Sequence, residues 1–214
     1  MDSTPIYQVN FASSNIFMTD IPKELSDNLN KKANSIKENW DAPNFGKNLA
    51  GHIQNQYSLD NMTDLKKFVL ELSYVYYNQL AEEGNMQQCT SNNPTLVSGE
   101  PWINFQGPTE YNPLHNHSGL FSWVIWLKIP YDREKEKAYF PHRENVLNGA
   151  FQFVYTSHNG GISTHIFHLD KEYESRLAIF PSTLQHAVYP FYTTDEYRVS
   201  IAGNVYIENS PHRG

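Results

Sequence analysis

The stretch of the chain after Ser98 is a succession of short β-rich runs, and this restricts the fold more than any other feature. "PWINFQG", "NPLHNHS", "LFSWVIWLK", "GAFQFVYTS", "STHIFHL", "RLAIFPS", "LQHAVYP" and "YRVSIAGNVYI" follow one another, parted by turn-forming or charged residues. No helical period runs through them. Many short strands at such spacing build a sandwich or a barrel, and eight of them suit a jelly roll.

The last run separates two kinds of face. Alternate residues of a strand share a side. Arg198, Ser200, Ala202 and Asn204 therefore lie on one side, and Val199, Ile201, Gly203 and Val205 on the other. Two readings stand. Either the polar side lines a ligand cavity inside a barrel whose apolar exterior packs on helices, or the strand is an edge with its polar side in solvent.

The first reading needs helices, and the N-terminal part predicts two. Asp20 followed by Pro22 marks a helix start, after which Leu25, Leu29, Ile36 and Trp40 recur at helical spacing. A second helix from about Asp64 to Ala81 aligns Leu65, Phe68, Val69, Leu72, Tyr76 and Leu80 on one stripe. Residues 84–99, rich in Asn, Gln, Gly and Ser, read as a connection, and "DREKEK" at 132–137 as a solvated loop. The expected organisation is an N-terminal strand and helical support region, 1–97, on a β core, 98–214, in a single compact domain. The fold class is mainly β, a jelly roll with the helices packed on one face.

Composition removes several functions. A net charge of −7 with scattered Lys and Arg lacks the basic stripe of a nucleic-acid binder. Cys89 is the only cysteine, so neither an intramolecular disulfide nor a cysteine-built zinc site is available. "MDSTPIYQVNF" lacks the basic start and apolar run of a secretory signal. The most apolar run, "GLFSWVIWLKIP", is too short to span a bilayer. A cytoplasmic protein with no membrane partner is expected.

The chemistry concentrates in "PLHNHSG". His115 and His117 stand two apart, on one face of a strand, and can chelate one ion. His186, in "LQHAVYP", is a third candidate, because the second and seventh strands of a jelly roll can lie side by side. Arg198 follows, with Ser200 on its face. A guanidinium buried beside a metal needs an anionic partner, and a dicarboxylate would provide one. Asn104 and Asn204 either touch that ligand or complete hydrogen bonds of the fold. His165 is a reserve ligand or a surface histidine. Trp102, Trp123 and Trp126 read as core aromatics, one of them lining the pocket. Tyr111 to Pro113 and the charged segment 131–148 are the expected substrate lid.

On "WINFQG", "HNHSGLFSWVIWL", "LAIFPSTLQHAVYP" and "YRVSIAGNV" the chain resembles the 2-oxoglutarate/Fe(II)-dependent dioxygenases of prolyl-hydroxylase type. It looks closest to a 2OG-Fe(II) oxygenase group found in phages and bacteria. The resemblance implies a double-stranded β-helix, cupin-like, with Fe(II), 2-oxoglutarate as cosubstrate and O2. It places metal ligands at His115 and His186 and the far carboxylate of 2-oxoglutarate on Arg198 and Ser200. The implied outcome is decarboxylation to succinate coupled to hydroxylation of a protein side chain, a nucleobase or a small metabolite. One position departs from the pattern: His117 stands where the family carries a carboxylate. Two alternatives remain beside this reading: a three-His cupin-type dioxygenase that uses no ketoacid, and a metal-binding protein without activity. The usual cupin Glu shortly after His-x-His is missing.

Overall fold

The computed structural model describes residues 5–10, 15–40, 42, 43, 46, 51–83 and 94–208. Each of the eight runs is a strand: β5 (Trp102–Gln106), β6 (Asn112–His115), β7 (Phe121–Lys128), β8 (Phe151–Thr156), β9 (Ile162–Phe167), β10 (Arg176–Pro181), β11 (Gln185–Val188) and β12 (Arg198–Ile207). The first, third, sixth and eighth of these run through the larger sheet, in the order β10-β7-β12-β5. The second, fourth, fifth and seventh form the smaller one, β6-β11-β8-β9. All the pairings are antiparallel. This jelly-roll-like division faces two sheets across a common interior.

The N-terminal part holds more strand than its helical pattern predicts. β1 (Tyr7–Asn10) and β2 (Asn15–Asp20) extend the larger sheet beyond β10, β3 (Asn55–Ser58) extends it beyond β5, and β4 (Leu96–Ser98) pairs with β12. β4 therefore corrects the reading of 84–99 as connection at its far end; residues 84–93 lie outside the described residues. Strands of three or four residues that complete a ladder draw on inter-strand hydrogen bonds more than on an apolar pattern of their own.

Both expected helices form. α1 (Lys23–Asn39) buries Leu25, Leu29, Ala33 and Ile36, and α2 (Thr63–Glu82) buries Leu65, Val69, Leu72, Tyr76, Tyr77 and Leu80. Trp40 is not part of the α1 stripe. It caps the helix in a left-handed conformation, φ 51°, and its ring leans on Tyr57, Phe105 and Tyr197. The helices pack against the outer side of the larger sheet in one apolar core, with Ile103, Phe105, Trp123, Ile125 and Ile201. A second core includes Val124, Trp126, Phe151, Phe153, Ala178 and Phe180, drawn from both sheets. β7 feeds both, Phe121, Trp123, Ile125 and Leu127 to the helices and Val124 and Trp126 to the other core. A strand buried on both sides reads as a continuous apolar run, which is why "LFSWVIWL" shows no alternation.

"DREKEK" is not a solvated loop. Arg133–Ala138 is a short helix, α3, capped by the Asp132 side chain, which accepts from Lys135 N at 3.0 Å. Glu136 is 1% exposed. Its carboxylate accepts from Tyr192 N, Thr193 N and Thr193 Oγ1, pinning α3 to the loop between β11 and β12. Among the described residues no helix is long and apolar enough to cross a membrane.

Candidate metal centre

β6 is an edge strand whose neighbour is β11, and their register sets His115 directly opposite His186. The pair reads in sequence as two positions of one strand, but β6 ends at His115. His117 lies just beyond, held by its backbone N–H donating to Ser182 O at 2.9 Å. The three rings still converge, with centroid separations of 5.0 Å (His115–His117), 4.3 Å (His115–His186) and 5.1 Å (His117–His186). One nitrogen of each lies within 4.8 Å of the others, the spread one ion can span.

Two of the tautomers are set by the backbone. His115 Nδ1 is 2.7 Å from Pro113 O, and His186 Nδ1 is 3.0 Å from Leu184 O. A carbonyl oxygen only accepts, so Nδ1 carries the proton in both rings and Nε2 keeps its lone pair for a ligand. Protonation is suppressed as well. Burial, then the neighbouring His115, lowers the His117 pKa to about 4. Burial lowers His115 against the opposing pull of the Pro113 carbonyl. His186 is driven well below its ordinary value by burial and then by the two other rings. Phe151 stacks on His186 at 5.5 Å and Phe153 and Phe180 flank it, supplying that apolar surrounding.

The trio opens on a cleft between the two sheets. Asn104, Gln106, Asn112, Ser122, Arg198 and Ser200 supply its other polar lining, while Trp102, Trp126 and Phe180 are among its walls. Among the described residues no Asp or Glu lines it. Arg198, 2% exposed, donates to Gln106 Oε1, Tyr131 Oη, Gly149 O and Tyr189 O. Ser200 Oγ accepts from Asn104 Nδ2 at 3.3 Å, and Asn104 Oδ1 accepts from Gln56 Nε2 at 2.8 Å. The inward side of β12 is thus a polar cavity wall and not an exposed edge.

His115, His117, His186, Arg198, Ser200 and Asn104 therefore share one cleft. Asn204 stands outside its lining, where its Oδ1 accepts from Ser122 Oγ at 2.7 Å. His165 is opposite Phe153 on β9, away from the trio. The segment 131–148 contributes no lining residue. Tyr131 lies beneath Arg198, and α3 is tied to residues 192 and 193, so this stretch closes the Arg198 end of the molecule. Of the segment Tyr111 to Pro113, Asn112 lines the cleft, while Tyr111 and Pro113 line an adjoining groove that shares Asn112 and Val188 with it. Reading the strands one step further identifies Gln106, two residues after Asn104 and on the same face of β5. Tyr131 carries no such signal, because the fold brings it to Arg198 from a loop.

A mainly β, jelly-roll-like chain with three convergent histidines and a buried arginine in one cleft defines a class, the jelly-roll proteins that carry a candidate metal site in the barrel. Within it, residues 100–204 match the family described as "Putative 2OG-Fe(II) oxygenase", which bears out the resemblance read from the sequence. Among solved structures, the chain is similar to a prolyl-4-hydroxylase of Pseudomonas putida, with a TM-score of 0.54 and 13% identity over 97% of this chain and 95% of that one. It is also similar to HygX of Streptomyces hygroscopicus, crystallised with nickel, 2-oxoglutarate and hygromycin B. There the TM-score is 0.52, with 11% identity over 94% of this chain and 86% of that one. At these identities the likeness is one of fold. No curated protein matches the chain in sequence.

Proposed function

We propose that the cleft binds Fe(II) on His115, His117 and His186 and 2-oxoglutarate as cosubstrate, and that the protein is a 2-oxoglutarate/Fe(II)-dependent dioxygenase hydroxylating a substrate still to be identified. The fold is then a double-stranded β-helix, with residues 98–214 as catalytic core and 1–97 as its support. One observation carries the reading. Three neutral imidazoles and a buried guanidinium share a cleft that no carboxylate lines among the described residues. A divalent ion there would leave three positive charges without a counter-charge, so the cleft calls for a dianion, and 2-oxoglutarate is one.

When bound, the iron supplies activation of O2 for an oxidation coupled to loss of CO2 from the ketoacid. The chain's own part is positional. The Pro113 and Leu184 carbonyls hold two imidazoles with Nε2 inward. Arg198 and Ser200 offer a cation and a hydroxyl to the far carboxylate, and Trp102, Trp126 and Phe180 keep the reacting centre dry.

A second reading, a three-His cupin-type dioxygenase that needs no ketoacid, draws on His117 in place of a carboxylate. Iron content and succinate release, measured together on the parent and on His117→Asp, separate the two. The proposal expects about one iron per chain and O2-dependent succinate in the parent. His117→Asp rebuilds the two-His, one-carboxylate set and should retain iron with equal or greater succinate release. Iron without succinate in the parent, or loss of iron from His117→Asp, favours the second reading. A parent that takes up no iron sinks both.

A further inference from the structure

Arg198 meets only neutral acceptors. Its Nε–Nη2 edge, the edge that forks a carboxylate, is closed by a single atom. Gln106 Oε1 accepts from Nε at 3.1 Å and from Nη2 as well. Nη1 donates to Tyr131 Oη at 2.9 Å and Gly149 O at 2.7 Å, and the second Nη2 proton goes to Tyr189 O at 3.1 Å. All five N–H groups are used, yet among the described residues no carboxylate pairs with the guanidinium. Its hydrogen bonds are satisfied and its charge is not. Gln106 is itself 2% exposed and braced, with Nε2 donating to Glu110 O at 2.6 Å and Tyr189 O at 3.3 Å. Both side chains line the cleft.

We propose that Gln106 is a neutral placeholder that makes the cleft selective for anions: its amide oxygen occupies the carboxylate edge of Arg198, and the far carboxylate of a bound dicarboxylate takes that edge from it. This rests on the reading of the cleft as a ketoacid site and adds the residue that sets its specificity. The choice of an amide follows from what its neighbours in chemistry would do. A glutamate has the same shape but would neutralise Arg198 permanently and repel a second carboxylate. An apolar side chain would leave a buried N–H edge unpaired. The amide avoids both, and a ligand carboxylate replaces a neutral bond with charge-assisted ones.

The test is calorimetric titration of 2-oxoglutarate, and of glutarate as a dicarboxylate without the keto group, into the parent, Gln106→Glu and Gln106→Ala. Each is titrated metal-free and loaded with Mn(II) in the absence of O2. Gln106→Glu should bind both dicarboxylates at least about tenfold more weakly while its Mn(II) affinity stays within about twofold. Gln106→Ala should bind them more tightly than the parent. Should that variant not fold, Gln106→Met, which keeps the volume and cannot accept a hydrogen bond, takes its place. Parent-like affinity in Gln106→Glu, or weakened binding in a folded Gln106→Ala or Gln106→Met, overturns the placeholder while leaving the ketoacid site standing. A parent that binds Mn(II) but neither dicarboxylate overturns the ketoacid site, and the placeholder with it.

Discussion

A protonated imidazole has no lone pair to give, so the acid limit of a three-His centre is set by how strongly its rings resist protonation. The unperturbed value alone would place metal loss near pH 6. Burial moves it lower, since His117 falls from the ordinary 6.5 to about 4 and both partners also shift down. The sign for folding is the same. Between 6.5 and about 4 the unfolded chain binds protons that the native rings refuse, so native stability is full above 6.5 and drains as the pH falls toward 4. The metal-free protein should therefore show urea midpoints that decline across that window. The loaded protein, dialysed stepwise, should hold its metal below pH 6 and release it only toward 4. Complete release at about pH 6 would mean that the rings are hydrated. At this scale the meeting of the three histidines was legible because their spacing and the strand order are both sequence patterns. Gln106 was legible and overlooked. Their tautomers were not, because the Pro113 and Leu184 carbonyls acquire that role only from the bends around each histidine.

Strands declare themselves in sequence when they bury a face. Apart from β6, which buries none of its residues, β5 to β12 do, and all eight were found, whereas β3 and β4, with four and three residues, carry too little pattern to be seen. α3 was misread for a different reason. A run of mixed charges is usually solvated, and only the backbone N–H groups at 192 and 193, distant in sequence, make Glu136 a buried acceptor. The loop that follows α3 delivers Gly149, whose φ is +68° and whose absent side chain leaves room for the Tyr131 ring. A Cβ there would stand 2.6 Å from Tyr131 Cζ and 2.8 Å from its hydroxyl. Gly149→Ala should cost roughly 2–4 kcal/mol, combining left-handed backbone with overpacking. It should also loosen Arg198, which shares Gly149 O with Tyr131. Urea unfolding checks the first effect and the dicarboxylate affinity of the variant the second. A cost below about 1 kcal/mol would show that Tyr131 is free to move aside.

Over the whole molecule the larger sheet serves two cores, one beneath the helices and one shared with the smaller sheet. Stability and ligand binding should be separable accordingly. Leu65→Ala on α2 and Phe153→Ala on β8 both remove fully buried side chains, and each should cost about 3–5 kcal/mol. Phe153 flanks His186 and Leu65 belongs to the helix side, so Mn(II) affinity should fall in Phe153→Ala and stay within about twofold in Leu65→Ala. Equal losses would show that the two cores act as one. The placement of the histidines in the sheet has a kinetic counterpart. Two of them sit at or just past the end of β6, an edge strand of four residues with a register shift in its ladder, and the third sits on the next strand inward. Edge strands fray at far lower free energy than a domain unfolds. An ion held by the three histidines, as proposed, would fasten this edge of the sheet to its interior. The lifetime of such an ion would then be governed by the peeling of one short strand, and not by the opening of the molecule.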